Sequence, residues 1–169
     1  MNERLEAVLA RTSRGLVPAA TILLVLLLSL VPLNLPYFSQ VAPAVTLIAV
    51  FYWTIYRPDL LPPVTVFVLG ALQDLVVGTP LGMSALVLLL TSGFVSSQRR
   101  ALLGKSFAII WLGFAVTALC GALLSWVAAS LYFLTMVRIV PVLVQGAVTA
   151  ALYPLFAWCL SHVHRRLVG

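Results

Sequence analysis

A chain of 169 residues with 63% hydrophobic and only 8% charged residues differs from soluble domains, in which about a quarter of residues are charged. The net charge of +6 does not indicate nucleic-acid binding, because the basic residues are dispersed over several short segments of the chain. Composition therefore excludes a water-soluble domain and a nucleic-acid partner. It predicts a single integral membrane domain over residues 1–169, in contact with membrane lipids.

Six apolar runs follow one another along the chain, each close to the roughly 20 residues that a helix needs to cross a bilayer. They occupy residues 16–35, 41–56, 61–77, 81–97, 107–132 and 139–161. The pattern predicts an all-α, polytopic membrane protein with six transmembrane helices. Ahead of the first run, residues 1–14 are interpreted either as a short amphipathic helix at the membrane surface or as a frayed tail.

Nine of the ten basic residues lie in alternate gaps between the runs. They are Arg4, Arg11 and Arg14 before the first run, Arg57 after the second, Arg99, Arg100 and Lys105 after the fourth, and Arg165 and Arg166 after the sixth. Only Arg138 lies in a gap of the other parity. Because basic loops stay on the cytoplasmic side, both termini are predicted to be cytoplasmic.

The second run ends in an aromatic group, Tyr52 to Tyr56, followed by Arg57 and Pro58. Aromatic residues, a cation and a helix-stopping proline are typical of an exit from the membrane on the cytoplasmic side. Asp59 comes next, and its carboxylate is predicted to cap the third helix.

Asp74 is the one acidic residue inside an apolar run, and such residues normally face protein or water because burial in lipid is costly. Gly70, Asp74 and Gly78 are four residues apart, so they share a helix face on which another backbone could approach closely. The sequence Gly78-Thr79-Pro80-Leu81-Gly82 follows. It is long enough only for a tight reversal, so the third and fourth helices are predicted to form an antiparallel hairpin.

Two roles are open for Asp74: a structural ion pair, or a proton or cation site in a transport path. Arg138 is its predicted partner, since it is the basic residue assigned to the same side, with Gln73 and Thr79 as polar neighbours. The structural role is favoured, because transport relays use chains of ionisable groups and the apolar runs contain none.

A ladder of small residues recurs every four positions along the fifth run. It consists of Gly113, Thr117, Gly121 and Ser125, with a shorter counterpart, Gly146 and Ala150, on the sixth run. Such ladders let helices pack at short range. Packing between the fifth and sixth helices is the favoured interpretation, and a lipid-exposed groove for another protein's helix is the alternative.

Catalytic, metal and cofactor motifs are missing from the sequence. A single carboxylate within the runs does not make an aspartyl dyad, and no glycine-rich phosphate loop occurs. His162 and His164 lie near the end of the last run and are predicted to sit at the headgroup boundary. The sequence thus predicts a protein that is not an enzyme and that uses no cofactor.

Two stretches of the chain, residues 52–62 and 70–86, resemble the rod shape-determining protein MreD family. The second is the more specific, since it combines a glycine, an aspartate one turn later, a glycine-proline turn and a Leu-Gly-x-x-Ala-Leu sequence. The motif residues are Arg57, Pro58, Gly70, Asp74, Gly78, Pro80, Leu81 and Gly82. The resemblance extends over nearly the whole chain.

This resemblance implies a non-enzymatic subunit of the machinery that builds the lateral cell wall, in the inner membrane of a bacterium. Its implied partners are MreC, a single-span protein with a periplasmic coiled coil, then MreB filaments, RodZ, a SEDS-type glycan polymerase and its transpeptidase. The implied fold is similar to the S component of energy-coupling-factor transporters. Two functions follow: a scaffold, or a small-molecule binding or transport subunit. The scaffold is favoured, because the outer helix ends offer few polar groups for a ligand.

Overall fold

The structure, a computed structural model, describes residues 17–27, 44–135 and 138–167, and these residues form six α helices and one short 3-10 helix. The helices are α1 (Val17–Leu27), α2 (Val45–Tyr56), α3 (Pro63–Val77), α4 (Met83–Leu102), α5 (Phe107–Phe133) and α6 (Ile139–Leu167). The all-helical class is confirmed. The predicted surface helix at 1–14 and the connection at 28–43 lie outside the described residues.

Helices α5 and α6 are the two, in the described part of the chain, that are long and apolar enough to cross a membrane by length and composition. Their most apolar 18-residue windows have mean hydropathies of 2.3 and 1.8. The described part of α1 and the helices α2 and α3 are apolar but shorter. Helix α4 continues past the predicted end at residue 97 to include Arg99 and Arg100. The structure thus supports a helical membrane protein, while the count of six crossings stays a prediction.

Helix α2 is the centre of the bundle. All of its residues from Val45 to Ile55 are buried, and it packs against α4, α5 and α6. Phe51 makes edge-to-face contacts with Phe114 of α5 and Tyr153 of α6, at centroid distances of 5.0 and 5.7 Å. A helix that is apolar on every side can face either lipid or protein. In this chain the surroundings of α2 are protein.

Four of the other helices pair as antiparallel neighbours, α3 with α4 and α5 with α6. The predicted hairpin of the third and fourth helices is therefore confirmed. Between α5 and α6 the contact is close at Gly146, where an added Cβ would lie 3.2 Å from the Leu119 side chain. Helix α4 also packs against α5, which closes the bundle around α2.

The start of α3 differs from the prediction. Asp59 is exposed and lies in a short 3-10 helix, Pro58–Leu60, and α3 has no side-chain hydrogen bond at its N-terminal cap. Instead, the amides of Thr65 and Val66 bond to the Pro62 carbonyl. Pro63 at the first helical position lacks an N–H that would need a partner, so the missing cap costs little.

Candidate functional site

Asp74 closes the α3–α4 hairpin. Its side chain is fully buried in the last turn of α3. The Thr79 hydroxyl donates to Oδ1 at 2.7 Å, the Gly82 N–H donates to Oδ2 at 2.8 Å, and the Ser84 N–H donates to Oδ1 at 2.9 Å. Because the first N–H groups of a helix have no intrahelical acceptor and carry partial positive charge, this carboxylate is a cap for α4 supplied by the preceding helix.

Two glycines give the turn its shape. Gly78 ends α3 with φ +78°, and Gly82 precedes α4 with φ +97°. Both angles lie in the left-handed region that residues with a Cβ rarely adopt. Between them, the Pro80 carbonyl accepts from the Met83 N–H at 3.1 Å, and Leu81 is 72% exposed at the tip. The glycine-proline turn and Asp74 therefore form one structural unit. The turn connects the two helices through the backbone, and the aspartate holds them together through hydrogen bonds.

Gly70 permits the two helices of the hairpin to touch. An added Cβ there would lie 2.4 Å from the Cα atom and 2.8 Å from the amide nitrogen of Ala85. These are backbone atoms, so no side-chain rotation could relieve the overlap. The close approach predicted on this face is confirmed at Gly70. Gly78 serves a different purpose, because a Cβ there would meet nothing within 4 Å.

The predicted ion pair between Asp74 and Arg138 is not formed in the described part of the chain. Asp74 is bonded by Thr79, Gly82 and Ser84, while Arg138 is exposed after the end of α5. Hydrogen bonds from neutral donors stabilise an ionised carboxylate and offset the cost of burying it. The turn supplies those donors, so a cation is not required.

The small-residue ladder of α5 faces the interior. Thr117 and Gly121 are buried, and a Cβ at Gly121 would lie 3.5 Å from the Leu47 side chain of α2. A Cβ at Gly113 would lie 3.0 Å from the Leu102 side chain of α4. The ladder thus packs within the molecule, but against α2 and α4 rather than α6.

The hydroxyl groups of the ladder are also used internally. The side chain of Thr117 donates to the Gly113 carbonyl at 2.7 Å, and that of Ser125 donates to the Gly121 carbonyl at 2.9 Å. Hydroxyls that bond to the carbonyl one turn earlier remain satisfied in an apolar setting. The ladder residues consequently support packing without a polar partner on a neighbouring helix.

A second cluster, missed by the sequence analysis, lies at the opposite end of the bundle. Arg57 ends α2 by donating its N–H to the Trp53 carbonyl at 2.8 Å, and Pro58 begins the 3-10 helix. The Nε of Arg99 on α4 donates to the Ile55 carbonyl at 2.7 Å. The last carbonyls of a helix lack intrahelical donors, so Arg99 satisfies a group at the end of a buried helix.

His164 of α6 belongs to the same end. Its ring stacks on Trp53 at 5.4 Å and makes edge contacts with Tyr52 and Tyr56 at 6.1 and 6.3 Å. Trp53 in turn donates its ring N–H to the Thr21 hydroxyl of α1 at 3.0 Å. The histidine predicted to lie at the headgroup boundary therefore contacts α2 and joins the ends of α2 and α6. Tyr52 and His164 are 112 positions apart in the chain, and no spacing in the sequence indicates that they are in contact.

Replacing Arg99 by methionine is expected to lower the free energy of unfolding by about 1.5–3 kcal/mol, the range for a hydrogen bond to a charged group. Methionine retains an apolar stem but leaves the Ile55 carbonyl without this donor. Arg100→Met is the matched control, since Arg100 is exposed on the next helical position, and it should change stability by less than about 0.5 kcal/mol. Titration with SDS in mixed micelles measures both, and equal losses would contradict the capping role.

The hydrogen-bonding capacity of the Asp74 carboxylate is already used, and this limits the chemistry that the site can perform. Both carboxylate oxygens already accept hydrogen bonds, and the side chain is shut off from solvent. In the described ranges, no three His, Cys, Asp or Glu side chains are grouped so that they could hold a metal ion. The arrangement can fix the relative position of α3 and α4, which is an architectural task.

Comparison of the sequence with known families identifies the family of this chain. The family profile described as rod shape-determining protein MreD matches residues 10–163, nearly the whole chain. No curated protein and no solved structure matches the chain. The matched region contains the end of α2, the whole α3–α4 hairpin and the ladder of α5. The chain therefore belongs to the MreD family of rod shape-determining proteins.

Proposed function

We propose that this protein is a non-enzymatic membrane scaffold subunit of the bacterial cell-wall elongation machinery, and that it binds the single-span protein MreC. Family membership supplies the link to rod shape. The observation that favours a scaffold over a transport subunit is the hydrogen bonding of Asp74. A carboxylate that holds a hairpin closed through buried hydrogen bonds is not available to carry a proton or cation.

The proposed topology has six crossings, both termini in the cytoplasm and the domain in the inner membrane. This topology is supported by the contacts between the helix ends that carry basic residues. Arg99 of α4 reaches the end of α2, and His164, which precedes Arg165 on α6, contacts the same end. The contacts bring three helix ends with positive charge to one side of the bundle, as positive-inside orientation requires. Arg138, between α5 and α6, belongs to the other side.

The docking surface we propose for MreC is the outward face of α3. This helix has α4 as its main neighbour, and much of its remaining surface is apolar and exposed. Val64 is 71% and Leu75 63% exposed. Thr117 and Gly121 of the ladder of α5 are buried inside the molecule, so we place the docking surface for a partner's helix on an outer face such as this one. MreB, RodZ, the SEDS polymerase and its transpeptidase would join through the larger assembly.

Co-purification and crosslinking test the two parts of this proposal separately. Tagged protein extracted in mild detergent is expected to recover MreC. A photo-crosslinking residue at Leu75 of α3 should form an adduct with MreC, whereas the same residue at Trp158, 68% exposed on α6, should not. Failure to recover MreC would contradict the scaffold function. Recovery with adducts from 158 and none from 75 would contradict only the docking surface.

A further inference from the structure

The end of the bundle where α2 stops carries a large excess of positive charge. In the described ranges, Asp59 is the one acidic residue at this end, since Asp74 lies at the other end of α3. The basic residues at the same end are Arg57, Arg99, Arg100, Lys105, Arg165 and Arg166. Like charges repel one another, so an anion that binds among these side chains is favoured.

Arg99 is held in place by one of its own donors. Its Nε donates to the Ile55 carbonyl at 2.7 Å, and this bond fixes the guanidinium against the end of α2. The two terminal nitrogens of Arg99 make no hydrogen bond within the described part of the chain. Their four N–H groups lie in one plane and form a fork, the geometry that binds two oxygens of a phosphate or carboxylate.

Arg57 and Arg165 bring further charge to the same helix end. The N–H of Arg57 donates to the Trp53 carbonyl at 2.8 Å, which places Arg57 directly after the last turn of α2. His164 stacks on the ring of the same Trp53 at 5.4 Å, and Arg165 follows it in α6. The ends of α2, α4 and α6 therefore each contribute one cation: Arg57, Arg99 and Arg165.

Exposed apolar side chains lie beside the basic residues. Leu103 and Phe107, on either side of Lys105, are 39% and 53% exposed. On α6, Trp158 is 68% exposed and lies two turns before the exposed Arg165, on the same helix face. Aromatic and basic side chains at the end of a membrane helix are typical of the level of the lipid headgroups. A phosphate that meets the cations at this level belongs to a lipid, whose chains lie against the apolar surface.

We propose that the end of α2 binds the phosphate of an anionic phospholipid, held by the fork of Arg99 and by the charges of Arg57 and Arg165. Basic sites between membrane helices on the cytoplasmic side are suited to such headgroups. This site adds one specific lipid contact to the proposed scaffold. It rests on the proposed topology only for the leaflet, which is the cytoplasmic one, and it does not depend on MreC.

Dioleoylphosphatidylglycerol and dioleoylphosphatidylcholine provide the test, because they share both chains and the phosphate and differ in net charge. Each is titrated into the purified full-length protein in detergent, and bound lipid is measured by native mass spectrometry. We expect the anionic lipid to bind at least about tenfold more tightly, as a few nearby cations imply. Equal affinities would overturn the proposal. Displacement of the lipid by an equal concentration of glycerol phosphate or of a polyglutamate peptide would also overturn it, in favour of a soluble anion or an acidic protein.

Three variants locate the lipid. Arg99→Lys keeps the charge but lacks the fork, so it should weaken binding of the anionic lipid about tenfold. Arg57→Gln should weaken it about fivefold. Arg138→Gln removes the same charge at the opposite end and should leave the affinity within about twofold. Equal losses in Arg57→Gln and Arg138→Gln would overturn the site, since they would show attraction to net charge alone. This comparison stands even if Arg99→Lys does not fold, and it is made in detergent, so its failure would leave the scaffold function and the topology untouched.

Discussion

The Gly70→Ala variant is expected to lose stability at the upper end of the roughly 1–3 kcal/mol range that overpacked sites show. The added methyl group would meet the backbone of Ala85 at 2.4 Å, so α3 and α4 would have to separate along their whole contact. Separation would also pull Asp74 from its donors at the turn. The free energy of unfolding in an SDS titration reports the loss.

Gly93→Ala is the control for this experiment. Gly93 lies within α4, the helix that Gly70 touches, but an added Cβ there would meet nothing within 4 Å. Alanine is a better helix former than glycine, so this variant should be unchanged or up to about 1 kcal/mol more stable. If both alanine variants behaved alike, the close contact between α3 and α4 would not exist in solution.

Recovery of MreC gives a second measure for the same pair of variants. Under the proposed docking surface, displacement of α3 from α4 moves the face that MreC contacts, so Gly70→Ala should recover less MreC than Gly93→Ala. Normalising each recovery to the amount of folded protein separates the loss of the surface from the loss of the fold.

The all-helical class was predictable because the composition alone indicates that lipid, not water, surrounds the chain. A chain with 63% hydrophobic residues that carries its cations in the gaps between apolar runs has few alternatives to a helical membrane bundle. The central position of α2 was not predictable. A run such as residues 45–56 is equally apolar whether its neighbours are acyl chains or other helices, so burial by protein leaves no mark in the pattern.

The hairpin motif shows which parts of a site a sequence reveals. The four-residue spacing of Gly70 and Asp74 correctly predicted one face in close contact with another helix. Thr79 was correctly predicted as a polar neighbour of Asp74, but the predicted partner Arg138 was wrong, since a search for an opposite charge does not find the backbone N–H groups of Gly82 and Ser84. Every residue but proline carries such a donor, so residue type does not reveal them. The available signal was the motif itself. An aspartate in the last turn of one helix, followed by a glycine-proline turn, can cap the N-terminus of the next helix.

The second cluster, where Arg99 and His164 meet the end of α2, had no sequence signal of this kind. The contact of His164 with Trp53 joins residues far apart in the chain, and only the packing of α6 on α2 brings them together. Arg99 was counted as an orienting charge, which it remains under the proposed topology. Arg99 bonds to the Ile55 carbonyl from a part of α4 that lies beyond the predicted end. The prediction ended the helix too early because the apolar run stops before the helix does.

Replacing Asp74 by alanine is expected to cause the largest loss of stability among these variants, about 2–6 kcal/mol. The N–H groups of Gly82 and Ser84 would lose their acceptor, and each unsatisfied group costs about 1–3 kcal/mol. Asp74→Asn should be nearly as damaging, because a carboxamide turns an N–H₂ donor toward one of these N–H donors. The measurement is again the free energy of unfolding in mixed micelles.

Three further variants distinguish capping from ion pairing. Thr79→Val removes one donor and leaves the N–H bonds to the carboxylate, so its loss should be smaller than that of Asp74→Ala. Arg138→Met should be near neutral, since the Asp74 carboxylate is bonded by the turn. Asp59→Ala, at an exposed carboxylate, controls for the change of net charge. A loss in Arg138→Met as large as in Asp74→Ala would restore the ion pair and reopen the carboxylate as a site for charge transfer. A loss confined to the Asp74 and Thr79 variants would identify the aspartate as the residue that holds α3 against α4.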